Sequence, residues 1–285
     1  MRRLILLILA LTTLLPSLAQ AYDLLVLQSR RDPAFEEVLK GFREESSVSQ
    51  RIIVLSDYAE VDVTRVMRED RPKLVLALGD AAVTAARTIQ QTPVIAVMSL
   101  AIHNQKKVAP NVSGIGMLAP PEKYMSLFAS LKVRRVGVLY SASKTGWYLQ
   151  SARQAAKAAG IELVTRELAS PRDVPAQLAS LGGTVDALWM LPDTTVVTKE
   201  TVEAWFRFGQ EQNIPVVSFA ATYLGLGAAA VLDVDRIELG RQAGEMAAAI
   251  LSSKHNGTTP HSYPAKAPVK TNASVLKRLG LNLSR

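Results

Sequence analysis

For most of its length the chain alternates short, β-rich apolar runs with segments of helical period. The runs fall at residues 23–29, 51–56, 73–79, 93–99 and 111–117. Segments of helical period lie at 33–45, 61–69 and 81–89. Short strands separated by helices of this length imply crossover units and a parallel sheet. These strands are apolar on both faces, as a sheet covered by helices on both sides requires.

The pattern then restarts. A helix is predicted over 120–131, opened by the Pro120-Pro121 pair, which suits a first turn. Strands follow at 134–141, 161–168, 186–192, 214–220 and 228–235. Helices are predicted at 147–159, stopped by Gly160, and at 173–181, 199–212 and 237–251. A polar loop at 254–261 and a last stretch at 267–281 complete the chain. The reading is α/β, with two doubly wound parallel-sheet lobes of similar plan. The last elements are left over once the second lobe is complete, so the chain is expected to return to the first lobe and cross again. The boundaries are residues 22–118 plus 232–260 for the N-terminal lobe, and 119–231 plus 261–285 for the C-terminal lobe.

The first 21 residues stand apart. Arg2 and Arg3 precede an apolar run at 4–15, and Ala19-Gln20-Ala21 fits a small-x-small cleavage site. This is the pattern of an export signal and too short for a spanning helix. With no Cys for thiolate zinc ligands, disulfides or lipid attachment, the expected product is a periplasmic protein with no lipid anchor and no membrane span. His103, His255 and His261 have no metal-ligand spacing, so neither metal nor cofactor is expected. Loss of Arg2 and Arg3 lowers the formal charge from +8 to about +6. The basic residues are scattered rather than interleaved with aromatics. This favours a solvated surface over a nucleic-acid interface.

In parallel sheets, ligands bind beyond the carboxyl ends of the strands. That rule selects Ser29 and Arg30, the Gly79-Asp80-Ala81 junction, Met98-Ser99, the segment 141–147 with Ser143 and Trp147, Asp193 with Thr194, and Phe219 to Tyr223. Helix N-termini aimed at these loops favour an anion such as a carboxylate. The acids can pair with an ammonium, and Trp147 or Tyr223 can cover an apolar side chain. Plainer readings stand beside these. Asp80 and Asp193 are each suited to capping a following helix. Arg30 is suited to solvent, Trp189 to the core, and Asp233 and Asp235 to turn or hinge contacts.

Enzymes are disfavoured for want of parts. The chain has no phosphate-binding loop, no G-x-G-x-x-G and no G-x-S-x-G elbow. The remaining catalytic option is Asp80 and Asp193 converging across the cleft as a carboxylate pair.

The stretches "KLVLALGDAAVTAAR", "TPVIAVMS", "NVSGIGMLAPPEKYMSLFASL", "VRRVGVLYSASKTG", "VDALWMLPDTTVV", "NIPVVSFA", "DRIELGRQAGEMAAAIL" and "VKTNASVLKRLGL" occur in family order over nearly all of residues 22–285. In them the chain resembles the substrate-binding components of ABC importers, in the branch linked to aromatic amino acids such as tryptophan and tyrosine. The resemblance implies the type I periplasmic-binding fold, in which two lobes joined by three crossovers close on a ligand. It also implies a permease and an ATPase as partners, a small-molecule ligand, and a monomer. Two ligand-facing loops depart from the family pattern. Met98-Ser99-Leu100 stands where the family often has Thr-Asp-Pro, and Ala220-Ala221-Thr222-Tyr223 where it often has an acidic or serine-rich loop. The departures leave open a second reading, a periplasmic sensor or interaction protein with a degenerate cleft.

Overall fold

The computed structural model describes residues 22–100, 102, 110–252 and 261–282. The expected export signal lies outside these residues, as does nearly all of the polar loop at 254–261.

The first half runs β1 (Leu24–Gln28), α1 (Pro33–Glu45), β2 (Gln50–Val54), α2 (Val63–Asp70), β3 (Leu74–Leu78), α3 (Asp80–Ala85), β4 (Val94–Val97) and β5 (Val112–Ile115). Its sheet is wholly parallel, in the order β2-β1-β3-β4-β5. Leu24 to Leu27 and Leu74 to Leu78 are fully buried because helices cover both faces of the central strands.

The second half contains α4 (Pro121–Ser130), β6 (Arg135–Tyr140), α5 (Ala142–Ala158), β7 (Glu162–Glu167), α6 (Val174–Ala179), β8 (Ala187–Trp189), α7 (Val202–Glu211), β9 (Val216–Ser218) and β10 (Ala230–Leu232). Then come α8 (Arg236–Leu251), β11 (Val269–Thr271) and α9 (Ala273–Arg278). The sheet order is β11-β10-β9-β8-β6-β7. Apart from β11 this repeats the order of the first half. β11 is the exception to the parallel pattern, pairing antiparallel with β10 at the sheet edge. Trp189 is fully buried in an aromatic cluster, with ring centroids 4.7 Å from Tyr124 and 5.8 Å from Tyr148. Trp205 on α7 is equally buried in the core on the other face.

The chain passes between the sheets at three places. The first joins β5 to α4. The second leaves the sheet after Leu232, where the Asp233 amide donates to the Pro268 carbonyl (3.1 Å) and the Asp235 amide to the Lys266 carbonyl (3.1 Å). The third brings residues 262–268 back: the Ser262 amide donates to the Gly114 carbonyl and the Gly116 amide to the Ser262 carbonyl, both at 2.9 Å. Asp235 caps α8 by accepting from the Glu238 amide (3.1 Å).

Although α8 follows the second sheet in sequence, it packs on α1 of the first half. The two backbones touch. A Cβ placed on Gly240 would lie 2.0 Å from the Val38 carbonyl oxygen. Leu239, Ala243 and Ala247 join Val38, Leu39 and Phe42 in one buried cluster. Half-exposed ion pairs, Arg236–Glu37 (2.5 Å) and Arg241–Glu44 (2.6 Å), border the contact. Exposed pairs of this kind contribute about 0–1 kcal/mol each, so the close apolar packing carries the contact.

Gly240→Ala must push the helices apart against backbone. It is expected to destabilise the protein by about 2 kcal/mol, the usual scale for overpacking. A thermal melt that stayed at the parent temperature would contradict the contact.

Candidate functional site

The carboxyl ends of β1, β3 and β4 face those of β8 and β9 across a cleft of about 490 Å³. Ser29, Arg30, Asp80 and Ala81 line it from the first half; Asp193, Thr194, Phe219 and Tyr223 line it from the second. All eight were selected from the sequence. Each lies in the segment just beyond the carboxyl end of a strand, a loop or the start of the next helix, where an α/β sheet leaves space for a ligand.

Ser99 lies directly beneath this wall. It is fully buried, and its hydroxyl donates to Asp80 Oδ1. Ser143 and Trp147 are not among the lining residues. The segment expected as a loop at 141–147 belongs almost entirely to α5, which begins at Ala142. The Ser143 hydroxyl stands 3.1 Å from that of Ser141. Trp147 Nε1 donates to the Lys144 carbonyl (3.2 Å), and its ring meets Tyr148 edge-on at 5.4 Å. Asp32, Phe35, Met117 and Val197 also line the cleft. Phe35 carries the same helical-period signal as a core residue, so nothing in its spacing marks it as cleft-facing. Asp32 could have been found as the acid beside Arg30.

Neither acid caps a helix as the sequence reading allowed. Gly79 is the residue before α3 and has φ 86°, a left-handed backbone that favours glycine. With no side chain there, the neighbouring strand supplies the cap. The Ser29 hydroxyl accepts from the Ala82 amide (3.0 Å) and donates to the Leu78 carbonyl (2.9 Å). Asp80, the first residue of α3, turns its carboxylate toward the loop after β4 and accepts from Ser99 and from the Leu100 amide (2.9 Å).

Asp193 is followed by a turn, and α7 begins only at Val202. Its carboxylate is buried. Oδ1 accepts from the Thr195 amide (2.9 Å), and Oδ2 from the Ser141 amide (2.8 Å) and the Thr145 hydroxyl (2.6 Å). Asp193 therefore ties the loop after β8 to the start of α5, and its charge is compensated within its own half. Such satisfaction is what burying a carboxylate requires.

Arg30 is exposed at the mouth. Its guanidinium bonds Asp32 Oδ2 at 2.7 and 3.2 Å and lies 6.0 Å from the Phe35 ring centre. On the opposite wall Phe219 meets Tyr223 edge-on with ring centroids 5.1 Å apart, and Phe206 lies tilted against Tyr223 at 6.1 Å. Partial burial pushes the Tyr223 hydroxyl above its usual range, so it stays a neutral hydrogen-bonding group.

Met98 lines the cleft with φ 54°. The other left-handed residues that are not glycine, Arg71, Lys132 and Asn213, lie just past helix ends, where that conformation is common. Met98 instead follows directly on β4. Its turn directs Ser99 and Leu100 at Asp80. No group of residues suited to hold a metal ion occurs among the described residues.

Two α/β halves that present strand ends to a shared cleft define the two-lobed type I periplasmic-binding fold. A model of the ABC transporter substrate binding protein family matches residues 55–285, and the chain belongs to that family. The family is one of solute-binding proteins and not a class of enzymes. The chain is 26% identical over 184 residues to a tyrosine-binding protein of Clostridioides difficile. The match covers 63% of this chain and 53% of that protein, so the chain spans about half the relative's length. Among solved structures, an ABC domain from Streptococcus pneumonia in complex with L-Trp is 20% identical, with a TM-score of 0.67 over 92% of this chain and 95% of that one. A ligand-free, open substrate-binding protein with adhesive properties from Clostridium difficile gives a TM-score of 0.71 at 20% identity, over 92% and 95%. At this identity the two structures speak to the fold alone.

Two outcomes are expected. Met98→Gly is expected to be about 1 kcal/mol more stable than Met98→Ala, because both lack the side chain packed against the first-half core and only glycine relieves the left-handed backbone; a glycine variant that melts no higher than the alanine variant would refute the strain. Asp193→Ala leaves the Ser141 amide and Thr145 hydroxyl without their acceptor and costs about 3 kcal/mol, measurable by urea unfolding.

Proposed function

We propose that the protein is the periplasmic solute-binding component of an ABC importer, and that its ligand is an amino acid with a large apolar or aromatic side chain. The carrying observation is the composition of the cleft. Arg30 and Asp80, of opposite charge, stand on one wall, while Phe35, Met98, Met117, Phe219 and Tyr223 supply apolar surface around them. A zwitterion with an apolar body complements that arrangement: its carboxylate meets Arg30, its ammonium meets Asp80, and its side chain lies against Phe219 and Tyr223. The volume falls within the ~300–1,000 Å³ of clefts that hold small organic ligands. The tyrosine-binding relative supports the same ligand class.

In this reading Ser29, Ala81 and Thr194 complete the binding set, while Ser99 and Asp193 hold the walls in place. The mechanism is equilibrium binding with closure of the lobes, divided as 22–118 plus 232–260 and 119–231 plus 261–285. A permease and an ATPase then accept the closed monomer. No helix among the described residues is long and apolar enough to cross a membrane.

Protein stripped of endogenous ligand and screened by thermal shift should respond to L-tyrosine, L-tryptophan or a related amino acid. Ligand at a hundred times its Kd adds about 2.7 kcal/mol of stability. Arg30→Ala and Asp80→Asn should each weaken the responding ligand by about 2 kcal/mol in calorimetry. Silence across amino acids, sugars, nucleosides and organic acids would reject solute binding and favour a sensor or interaction protein with a degenerate cleft.

A further inference from the structure

The aromatic wall of the cleft is carried by a short loop after β9 whose internal bonds are backbone ones, such as the Tyr223 amide to the Ala220 carbonyl (3.1 Å) and the Ala228 amide to the Tyr223 carbonyl (3.0 Å), and whose first amide is held from outside. Ala221 to Tyr223 form a single 3-10 turn with no side-chain cap of its own. The free Ala221 amide at its start is taken by Asp233 Oδ1 at 3.1 Å. Asp233 lies outside the cleft, just past β10, where the chain leaves for the other lobe. Its other oxygen, Oδ2, accepts from Lys270 Nζ on β11 at 2.7 Å, and its own amide donates to the Pro268 carbonyl. A second support comes from the same side: Asn272, just after β11, donates through Nδ2 to the Leu224 carbonyl at 2.9 Å. The Phe219–Tyr223 wall is thus fastened to the strands that border the second and third interlobe passages.

The Asp233 side chain is only 11% exposed. Burying a carboxylate is costly unless it is paired and hydrogen-bonded. Its two oxygens are both engaged, one by the Ala221 amide and the other by Lys270, so the side chain ties the loop to β11. The loop it holds is also one of the two in which the sequence departs from the family pattern.

We propose that Asp233, held by Lys270, is a positioning residue for the cleft. It sets the Ala221–Tyr223 turn so that Phe219 and Tyr223 present their faces to the ligand. The affinity part rests on the amino-acid reading of the cleft; the anchoring part does not. Hydrogen exchange on the ligand-free full chain reads the anchoring. In Asp233→Ala, exchange within 219–227 should quicken by about tenfold while β6 and β8 keep parent rates. Asp233→Asn, which retains an oxygen for the Ala221 amide, should restore slow exchange, and Lys270→Met should fall between. Calorimetry with L-tyrosine, L-tryptophan and L-leucine reads the second part. The probe that binds the parent should bind Asp233→Ala about tenfold more weakly and Asp233→Asn within about threefold. Unchanged exchange in Asp233→Ala overturns the proposal. So does quickening spread over the whole lobe with a matching fall in Tm, or parent affinity despite a loosened loop. If the parent binds none of the three probes, the ligand class fails instead, and the exchange pattern still decides the anchoring.

Discussion

The backbone contact between α1 and α8 determines the connectivity of the whole molecule. Because Gly240 has no side chain, a helix that follows the second sheet in sequence can lie directly against the first. That placement makes the chain pass between the halves a second time, and the return to β11 supplies the third passage. Three strands of backbone in parallel restrict twisting between the halves more than bending. A two-walled cleft needs that geometry if its walls are to approach along one path. The contact lies along α1 beyond cleft-lining Phe35, and its own residues Val38, Phe42 and Gly240 are not among those that line the cleft.

The two walls are built by the same device, a cross-tie between adjacent strand ends. In the first half Ser29 reaches from β1 to the end of β3 and the start of α3. In the second half Asp193 reaches from the end of β8 to the start of α5. Both ties sit where the strand order reverses, between β1 and β3 and between β6 and β8. The reversal opens the crevice in which ligands of such sheets bind, so the groups fixing the crevice also form its floor. Asp80 and Asp193 look equivalent in the sequence, yet the first borders the cleft wall and the second is absorbed into internal hydrogen bonds.

The architecture was legible because strand and helix periods are strong, repeated signals. The helix at 33–45 matches α1 end for end, and the parallel pairing of the strands followed from alternation alone. Antiparallel β11 was not legible. It is three residues long and exposed, so it carries no burial pattern. Within the site, the strand-end rule found both walls because it depends only on topology. It failed at Ser143 and Trp147, where Lys144-Thr145-Gly146 looked like a loop but lies inside α5. The glycine there costs a helix only about 1 kcal/mol, and the turns on either side outweigh it. Capping by Asp80 and Asp193 was misjudged for a different reason. Cap preferences describe a residue and its own helix, whereas here the acceptors are shared between strands.

Both fully buried tryptophans, Trp189 and Trp205, and the partly exposed Trp147 belong to the second half. The first half therefore emits through tyrosine alone. Tryptophan fluorescence followed during denaturation watches one lobe, while circular dichroism watches both sheets at once. Should the lobes melt separately, the two optical signals would part company, and a single emission curve would describe only the half that bears the indoles.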